Sequence, residues 1–174
     1  MTRYAAFLRG INVNGITIKM ADLKAAFEGL GFASVKTVLA SGNVLFETEW
    51  TDPGALKREI EARLAGTFGY EAWVVLRETG RVQTLLDAWP FERGRAGWHD
   101  YAVLASDPAT LGGLLALQAQ LDPALERIGP GDEALYWTVL KGHSTETPLA
   151  RELSRARFKA VTTTRNLNTL AKLV

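Results

Sequence analysis

The segment VKTVLASGNVLFET, residues 35–48, decides the fold. Two β-rich runs, 35–40 and 43–48, flank the pair Ser41-Gly42, and a short glycine-containing loop between two such runs predicts a β-hairpin. The segments on both sides of this hairpin carry apolar residues at the spacing of one helix face. These residues are Leu23, Ala26, Phe27 and Leu30 before the hairpin, and Leu56, Ile60 and Leu64 after it.

Working outward, a strand is predicted before the first helix (residues 3–10) and another after the second helix (residues 71–78). Gly31 is placed to end the first helix in a left-handed conformation. Asp52 or Thr51 can cap the second helix, with Pro53 in its first turn. The order βαββαβ is typical of a ferredoxin-like split βαβ unit.

The second half repeats this order after a linking helix. The predicted elements are a helix over 79–89, a strand over 100–106, a helix over 106–121, strands over 124–128 and 133–141 joined across Gly129–Gly131, a helix over 147–158, a strand over 159–164 and a helix over 165–174. We therefore predict an α+β fold of two ferredoxin-like halves, residues 1–78 and 79–174, with a linking helix and a C-terminal helix. The halves lack a long flexible linker, so we expect them to pack tightly as one structural unit.

Composition excludes several classes of function. The 174 residues include no cysteine, which rules out disulfides, thiolate nucleophiles and cysteine-bound metals. The two histidines, His99 and His143, do not form a metal-binding motif, so we expect neither a metal nor a cofactor. No apolar run reaches the ~18 residues of a membrane helix, and the N-terminal apolar stretch is too short for a signal peptide. We expect a soluble cytoplasmic protein with no membrane partner.

Charge is unevenly distributed although the net charge is only +1. The segment from Arg151 onward has six basic residues and one acid, Glu152, and therefore carries +5 against −4 for the first 150 residues. A basic terminal segment on a mildly acidic body indicates an anionic partner, either a small molecule or nucleic acid. A solvated basic helix face is the alternative.

Three polar clusters are candidate binding segments, around "RGINVNG" (9–15), "SGN" (41–43) and "TTTRNLNT" (162–169). Glycine lets backbone N–H groups approach a ligand, and arginine forms paired hydrogen bonds to phosphate or carboxylate. We expect Thr164-Arg165-Asn166 to lie at a helix N-terminus, which would add donors. The candidate ligand-binding residues are Arg9, Gly10, Asn12, Lys19, Ser41, Asn43, Thr164, Arg165, Asn166 and Asn168.

Each cluster also has a purely structural interpretation. Gly10 favours a turn with positive φ, Asn12 and Asn43 are frequent in Asx-turns, and Asn166 or Thr164 can serve as a helix N-cap. "RGINVNG" matches neither GxGxxG nor GxxxxGK[ST], so it is not a phosphate-loop fingerprint.

The motifs "FLRGINVNG", "KMADL", "GF", "SGNV" and "TTRNLNT" occur in the order that characterises a known family. On these motifs the chain resembles a bacterial family catalogued as domain of unknown function 1697. The resemblance implies a duplicated ferredoxin-like α+β fold and no established biochemical function. Two positions depart from the family pattern: Asn14 stands where glycine is usual, and Leu167 where tryptophan is usual.

Three functions follow from these observations. The first is binding of an anionic, phosphate-bearing ligand, with nucleotides and nucleic acids included. The second is a structural role, in which Arg and Asn side chains satisfy backbone groups at strand ends. The third is an enzyme that acts on a small anionic substrate in the same pocket, for which the sequence assigns no catalytic residue.

Overall fold

The computed structural model describes residues 1–11, 16–40, 42–159 and 161–174. The chain divides into two compact units: Met1–Val82 with Lys172–Val174, and Gln83–Ala171. Among the described residues, no helix has both the length and the apolar character needed to cross a bilayer.

The first unit contains the predicted βαββαβ order. Its elements are β1 (Thr2–Arg9), α1 (Met20–Glu28), β2 (Ala33–Val38), β3 (Asn43–Thr48), α2 (Pro53–Phe68) and β4 (Trp73–Glu78). The next helix, α3 (Thr79–Asp87), begins in the first unit and ends in the second. The four strands form one sheet in the order β2-β3-β1-β4, in which every neighbouring pair is antiparallel.

The hydrophobic core of this unit lies between the sheet and the two helices. Phe27, Leu56, Ile60 and Leu64 have no exposed surface and pack into one cluster with Phe46 of β3. Each such side chain contributes about 1.5–3 kcal/mol by leaving water. The helical spacing in the sequence therefore identified the residues that hold α1 and α2 on the sheet.

The second unit repeats the order. Its elements are β5 (Trp98–Ala105), α4 (Pro108–Leu115), a 3₁₀ helix (Ala116–Gln120), β6 (Glu126–Gly131), β7 (Ala134–Leu140), α5 (Pro148–Leu153), α6 (Ala156–Lys159), β8 (Thr162–Asn166) and α7 (Leu167–Ala171). Its sheet has the order β6-β7-β5-β8, again antiparallel throughout. The two units thus share one strand order, and the second unit differs in its 3₁₀ helix after α4 and in having two short helices between β7 and β8.

The predicted cap of the second helix is confirmed, and α4 and α5 begin in the same way. The Asp52 carboxylate accepts from the backbone N–H groups of Gly54 and Ala55 at 2.9 and 3.1 Å. Asp107 caps α4, and Thr147 caps α5. In all three helices proline follows the cap in the first turn, where its missing N–H costs nothing.

The prediction for the second hairpin turn was wrong. Gly129, Pro130 and Gly131 belong to β6, and the turn lies at Asp132–Glu133, where Glu133 has φ +58°. Proline is tolerated in β6 because this strand is at the edge of its sheet. A Cβ atom on Gly131 would lie 2.8 Å from the Tyr136 ring, so this glycine serves packing and not the turn.

Several predicted boundaries were also wrong. The strand placed at 35–40 is Ala33–Val38, so the first hairpin loop is four residues long and includes Leu39 at φ +59°. The helix placed at 106–121 becomes 3₁₀ after Leu115, consistent with the weak helix propensity of Gly112 and Gly113. The helix placed at 147–158 is two short helices, and the strand placed at 159–164 is Thr162–Asn166.

Candidate functional site

The described residues of the first two polar clusters lie at the same end of the first sheet. The Leu8 N–H donates to the Gly42 carbonyl at 2.8 Å, and Phe7 is paired with Asn43 across β1 and β3. Gly42 has φ +82°, and a Cβ atom there would lie 2.8 Å from Ile11 Cδ1. The chain therefore requires glycine at this position both for its backbone conformation and for space.

Three further candidate residues of the first unit are described by the structure, namely Arg9, Gly10 and Lys19. Arg9 ends β1 opposite Trp73 of β4, and burial lowers the pKa of its guanidinium. Gly10 is exposed, with φ +78°. Lys19 is exposed at the N-cap position of α1, where its side chain makes no capping hydrogen bond. The predicted residues Asn12 and Ser41 lie outside the described residues.

Asn43 is fully buried and braces the first hairpin. Its side-chain Nδ2 donates to the carbonyl of Val38 at 2.9 Å, across the loop that joins β2 to β3. This hydrogen bond gives the buried Asn43 amide a partner, as buried polar groups require.

The third cluster is in the second unit and differs from the prediction. Thr164 and Arg165 belong to β8, where they pair with Val103 and Ala102, so of the three residues predicted at a helix N-terminus only Asn166 directly precedes the helix, α7. The strand continues to Asn166 because the ladder to β5 extends to Tyr101.

Within β8, two of these side chains form local hydrogen bonds. Arg165 Nη1 donates to Thr163 Oγ1 at 2.6 Å and to the Thr164 carbonyl at 3.1 Å. Asn166 Oδ1 accepts from the Asn168 N–H at 2.8 Å, at the start of the five-residue α7. The helix N-cap role predicted for Asn166 is thus present in the structure.

Asn166 and Asn168 line a cleft at one end of the second sheet. This end is where β5 begins and β7 and β8 finish, because Trp98 pairs with Leu140 and Tyr101 pairs with Asn166. The cleft has a volume of about 400 Å³. Its other polar or aromatic lining residues include Arg95, Trp98, His99, Asp100 and Lys141.

The loop that carries Arg95 is held by a buried carboxylate. Asp100, which is 8% exposed, accepts from the Gly94 N–H at 2.8 Å and from the Thr138 hydroxyl at 3.2 Å. The Lys141 N–H donates to the Gly97 carbonyl at 2.9 Å and closes the loop on the end of β7. Asp100 therefore holds the loop with one oxygen and is itself held to β7 through the other.

Arg95 itself lies over an indole ring. Its guanidinium carbon is 4.6 Å from the ring centroid of Trp98. Such a cation–π contact contributes about 0.5–1 kcal/mol at an exposed site and orients the guanidinium plane. The cleft thus presents an oriented arginine and an exposed lysine, Lys141, beside two amide side chains.

A second cleft of about 240 Å³ shares Arg95 with the first. Its lining includes Phe91, Glu92, Arg127 and Thr138. Arg127 is paired with Thr138 across β6 and β7, and Thr138 is paired with Asp100 across β7 and β5. Arg127, Thr138 and Asp100 therefore lie in one row across the sheet.

His99 begins a row of aromatic side chains beside the first cleft. The His99 and Tyr101 rings are 5.6 Å apart, and Tyr101 and Trp137 are 5.3 Å apart. Burial raises the pKa of the Tyr101 hydroxyl. An imidazole at the cleft wall is a group that can transfer a proton to a bound molecule.

The part of the chain that the structure describes holds no group of three or more His, Cys, Asp and Glu residues that could bind a metal ion. The side chains that line the cleft offer cationic and amide groups for recognition, and His99 is a group able to transfer a proton.

Four residues that line the cleft were not predicted from the sequence as binding residues, namely Arg95, Trp98, His99 and Lys141. The segment "RGRAGWH" (93–99) has the same combination of arginine and glycine as "RGINVNG", and Gly94 and Gly97 both have positive φ. This composition is the signal that could have added the segment to the candidate list.

Comparison with known proteins places the chain in a family. The family described as "Protein of unknown function (DUF1697)" matches residues 1–136. The chain belongs to this family. The match includes the loop of Arg95 and ends before Lys141 and the "TTRNLNT" segment.

A solved structure of similar fold is the conserved bacterial protein SP0830 from Streptococcus pneumoniae, with a TM-score of 0.80 and 23% identity. The match covers 99% of this chain and 96% of that one, and shows that the two share a fold. An unknown protein from Galdieria sulphuraria, 12% identical over 95% of this chain and 96% of that one, has a TM-score of 0.29, too low to support an argument. No curated protein matches the chain.

Proposed function

We propose that the protein binds a small anionic, phosphate-bearing ligand in the 400 Å³ cleft of the second unit. The observation that carries the proposal is the convergence of Arg95 and Lys141 with Asn166 and Asn168 on one cleft. The volume falls in the range of about 300–1,000 Å³ that is usual for small-molecule sites.

The side chains suit a phosphate group in complementary ways. Arginine offers a planar set of donors that matches two phosphate oxygens, and lysine supplies a compact charge. The Asn166 and Asn168 amides can donate to remaining oxygens. Asp100 also lines the cleft, and its negative charge remains although its oxygens accept from the Gly94 N–H and the Thr138 hydroxyl, so Arg95 and Lys141 have to outweigh this charge for an anion to bind.

The test is binding of inorganic phosphate, measured by isothermal titration calorimetry at about 50 mM salt, where screening is weak. Lys141→Ala should weaken phosphate binding about tenfold, since a hydrogen bond to a charged group contributes about 1.5–3 kcal/mol. Lys159→Ala removes another exposed lysine of the same unit and lines neither cleft, so it should leave the affinity within twofold. Equal affinity in Lys141→Ala and the parent protein would refute the proposal.

Nucleic acid is a less favoured anionic partner. Glu152 forms ion pairs with Arg155, at 3.1 Å, and with Arg157, so part of the positive charge of the C-terminal segment is balanced locally. Arg157 also lies 4.8 Å from the centroid of the Phe158 ring. Retention of the protein on an oligonucleotide in physiological salt would favour nucleic acid over the small ligand.

Catalysis on a small anionic substrate is a second candidate, favoured by the position of His99 in the cleft wall. A screen of phosphate esters without any turnover that depends on His99 would eliminate it. We also propose a cytoplasmic location, which agrees with the lack of cysteine in the sequence.

We further infer that each unit is a ferredoxin-like split βαβ unit. The support is the antiparallel order β2-β3-β1-β4 with a helix before β2 and another before β4, and the same pattern in β6-β7-β5-β8. An experimental structure with a parallel neighbouring pair in either sheet would overturn this inference.

A further inference from the structure

We infer that the two clefts of the second unit are subsites of one site, and that its ligand carries two or more linked anionic groups, as in a di- or triphosphate. The inference rests on the proposed function and specifies the class of ligand. Arg95 carries it, because this residue lines both the 400 Å³ cleft and the 240 Å³ cleft.

Each cleft adds a cation of its own to the shared arginine. Lys141 lines only the larger cleft, and Arg127 lines only the smaller one. An anionic group held by Arg95 therefore has a further cation on either side. A single phosphate satisfies Arg95 and one neighbour, whereas linked groups can engage all three.

The register of the sheet sets the spacing between the two outer cations. Arg127 pairs with Thr138 on the neighbouring strand, and Lys141 lies three residues beyond Thr138. At about 4.8 Å between strands and 3.3 Å per residue, their Cα atoms are about 11 Å apart. The two residues thus occupy separate positions along the sheet.

Hydrogen bonds connect the residues at the border between the two clefts. The Thr138–Asp100 hydrogen bond joins a residue of the smaller cleft to a residue of the larger one, and Asp100 also holds the Gly94 N–H of the Arg95 loop. Asp100 is therefore a positioning residue that fixes the shared arginine relative to both subsites.

The volumes favour one composite site over two separate ones. The smaller cleft, at about 240 Å³, is below the usual size of an independent small-molecule site of about 300 Å³ and more. Glu92 also lines it and repels anions, so Arg127 alone does not make it a strong anion site. As an extension of the larger cleft, it would accept one terminal anionic group of a longer ligand.

The experiment compares inorganic phosphate with inorganic triphosphate by isothermal titration calorimetry at about 50 mM salt. The parent protein should bind triphosphate at least tenfold more tightly than phosphate. Arg127→Ala should remove this advantage and leave phosphate binding within twofold, while Lys141→Ala should weaken both ligands. Arg151→Ala, which removes an exposed arginine that lines neither cleft, is the charge-matched control and should change neither affinity more than twofold.

The outcomes separate this inference from the proposed function. Phosphate binding that depends on Lys141, with triphosphate bound no more tightly, overturns the composite site and leaves the proposed function standing. An equal loss of triphosphate affinity in Arg127→Ala and Arg151→Ala also overturns it, because general charge would then explain the preference. Lack of binding of both anions overturns the inference and the proposed function together.

Discussion

Replacing Gly42 by alanine should destabilise the protein more than the same change at Gly10. Both glycines have positive φ, +82° and +78°, so alanine costs about 1–2 kcal/mol in the left-handed region at either position. Alanine also reduces the conformational entropy of the unfolded chain, which stabilises the folded state by about 0.4–1 kcal/mol. Gly10→Ala should therefore lower the free energy of unfolding by about 1 kcal/mol.

The two positions differ in the space around the new methyl group. A Cβ atom at Gly10 meets nothing within 4 Å, whereas at Gly42 it lies 2.8 Å from Ile11 Cδ1 and 3.0 Å from Leu8 Cβ. Leu8 Cβ can move away from the new methyl group only if the backbone of β1 moves with it. Overpacking of this kind costs about 1–3 kcal/mol, so Gly42→Ala should lose about 2–4 kcal/mol in total.

The assay is urea denaturation followed by far-UV circular dichroism. Adding Ile11→Val to Gly42→Ala removes the atom at 2.8 Å and should recover about 1 kcal/mol, a coupling that the single changes do not predict. A Gly42→Ala variant as stable as Gly10→Ala would refute the reasoning. It would mean that the contact between the "RGINVNG" and "SGN" segments is looser than the structure gives.

Two further predictions concern buried polar groups. Asp100→Asn can keep an acceptor for the Gly94 N–H and a donor for the Thr138 hydroxyl, so it should lower the free energy of unfolding by about 1 kcal/mol. Asp100→Ala removes both hydrogen bonds and should lower it by about 2–4 kcal/mol. Both values are measured by urea denaturation, and equal losses in the two variants would contradict the assigned hydrogen bonds. Burial raises the pKa of Tyr70 from 10.0 to about 12, so the folded state holds the hydroxyl proton more strongly than the unfolded state does. The contribution of this group to the free energy of unfolding is therefore fully present below pH 10 and is lost as the pH rises through 12. Tyr70→Phe should reduce this loss of stability at alkaline pH. At neutral pH the variant should be at least as stable as the parent, because the enclosed hydroxyl has no hydrogen-bond partner in the described part of the chain. An unchanged dependence of stability on alkaline pH would contradict the raised pKa of Tyr70.

The sequence predicted the elements well where local chemistry decides them. The spacing of Leu56, Ile60 and Leu64 identified the buried face of α2, and Asp52 with Pro53 identified its start. These signals are local, because a cap and a helix face involve residues within a few positions of one another. Family membership, read from the order of the motifs, was confirmed as well.

Turn positions were predicted less well when glycine and proline had another role. Gly131 is required by the Tyr136 ring, which comes from the neighbouring strand, and Pro130 is allowed by the edge position of β6. Neither reason can be read from the local sequence, so the turn at Asp132–Glu133 was missed.

The sequence by itself determined the two βαββαβ series, the helix caps and the polar character of the three clusters, because each depends on neighbours along the chain. Only the tertiary structure decided which polar residues share a cleft. Arg95, Lys141 and Asn166 are far apart in sequence and meet because antiparallel pairing brings the start of β5 to the ends of β7 and β8. Asn43, which has the same side chain as Asn166, is instead buried against Val38, because strand register and not residue type determines whether an amide faces a cleft or braces the backbone.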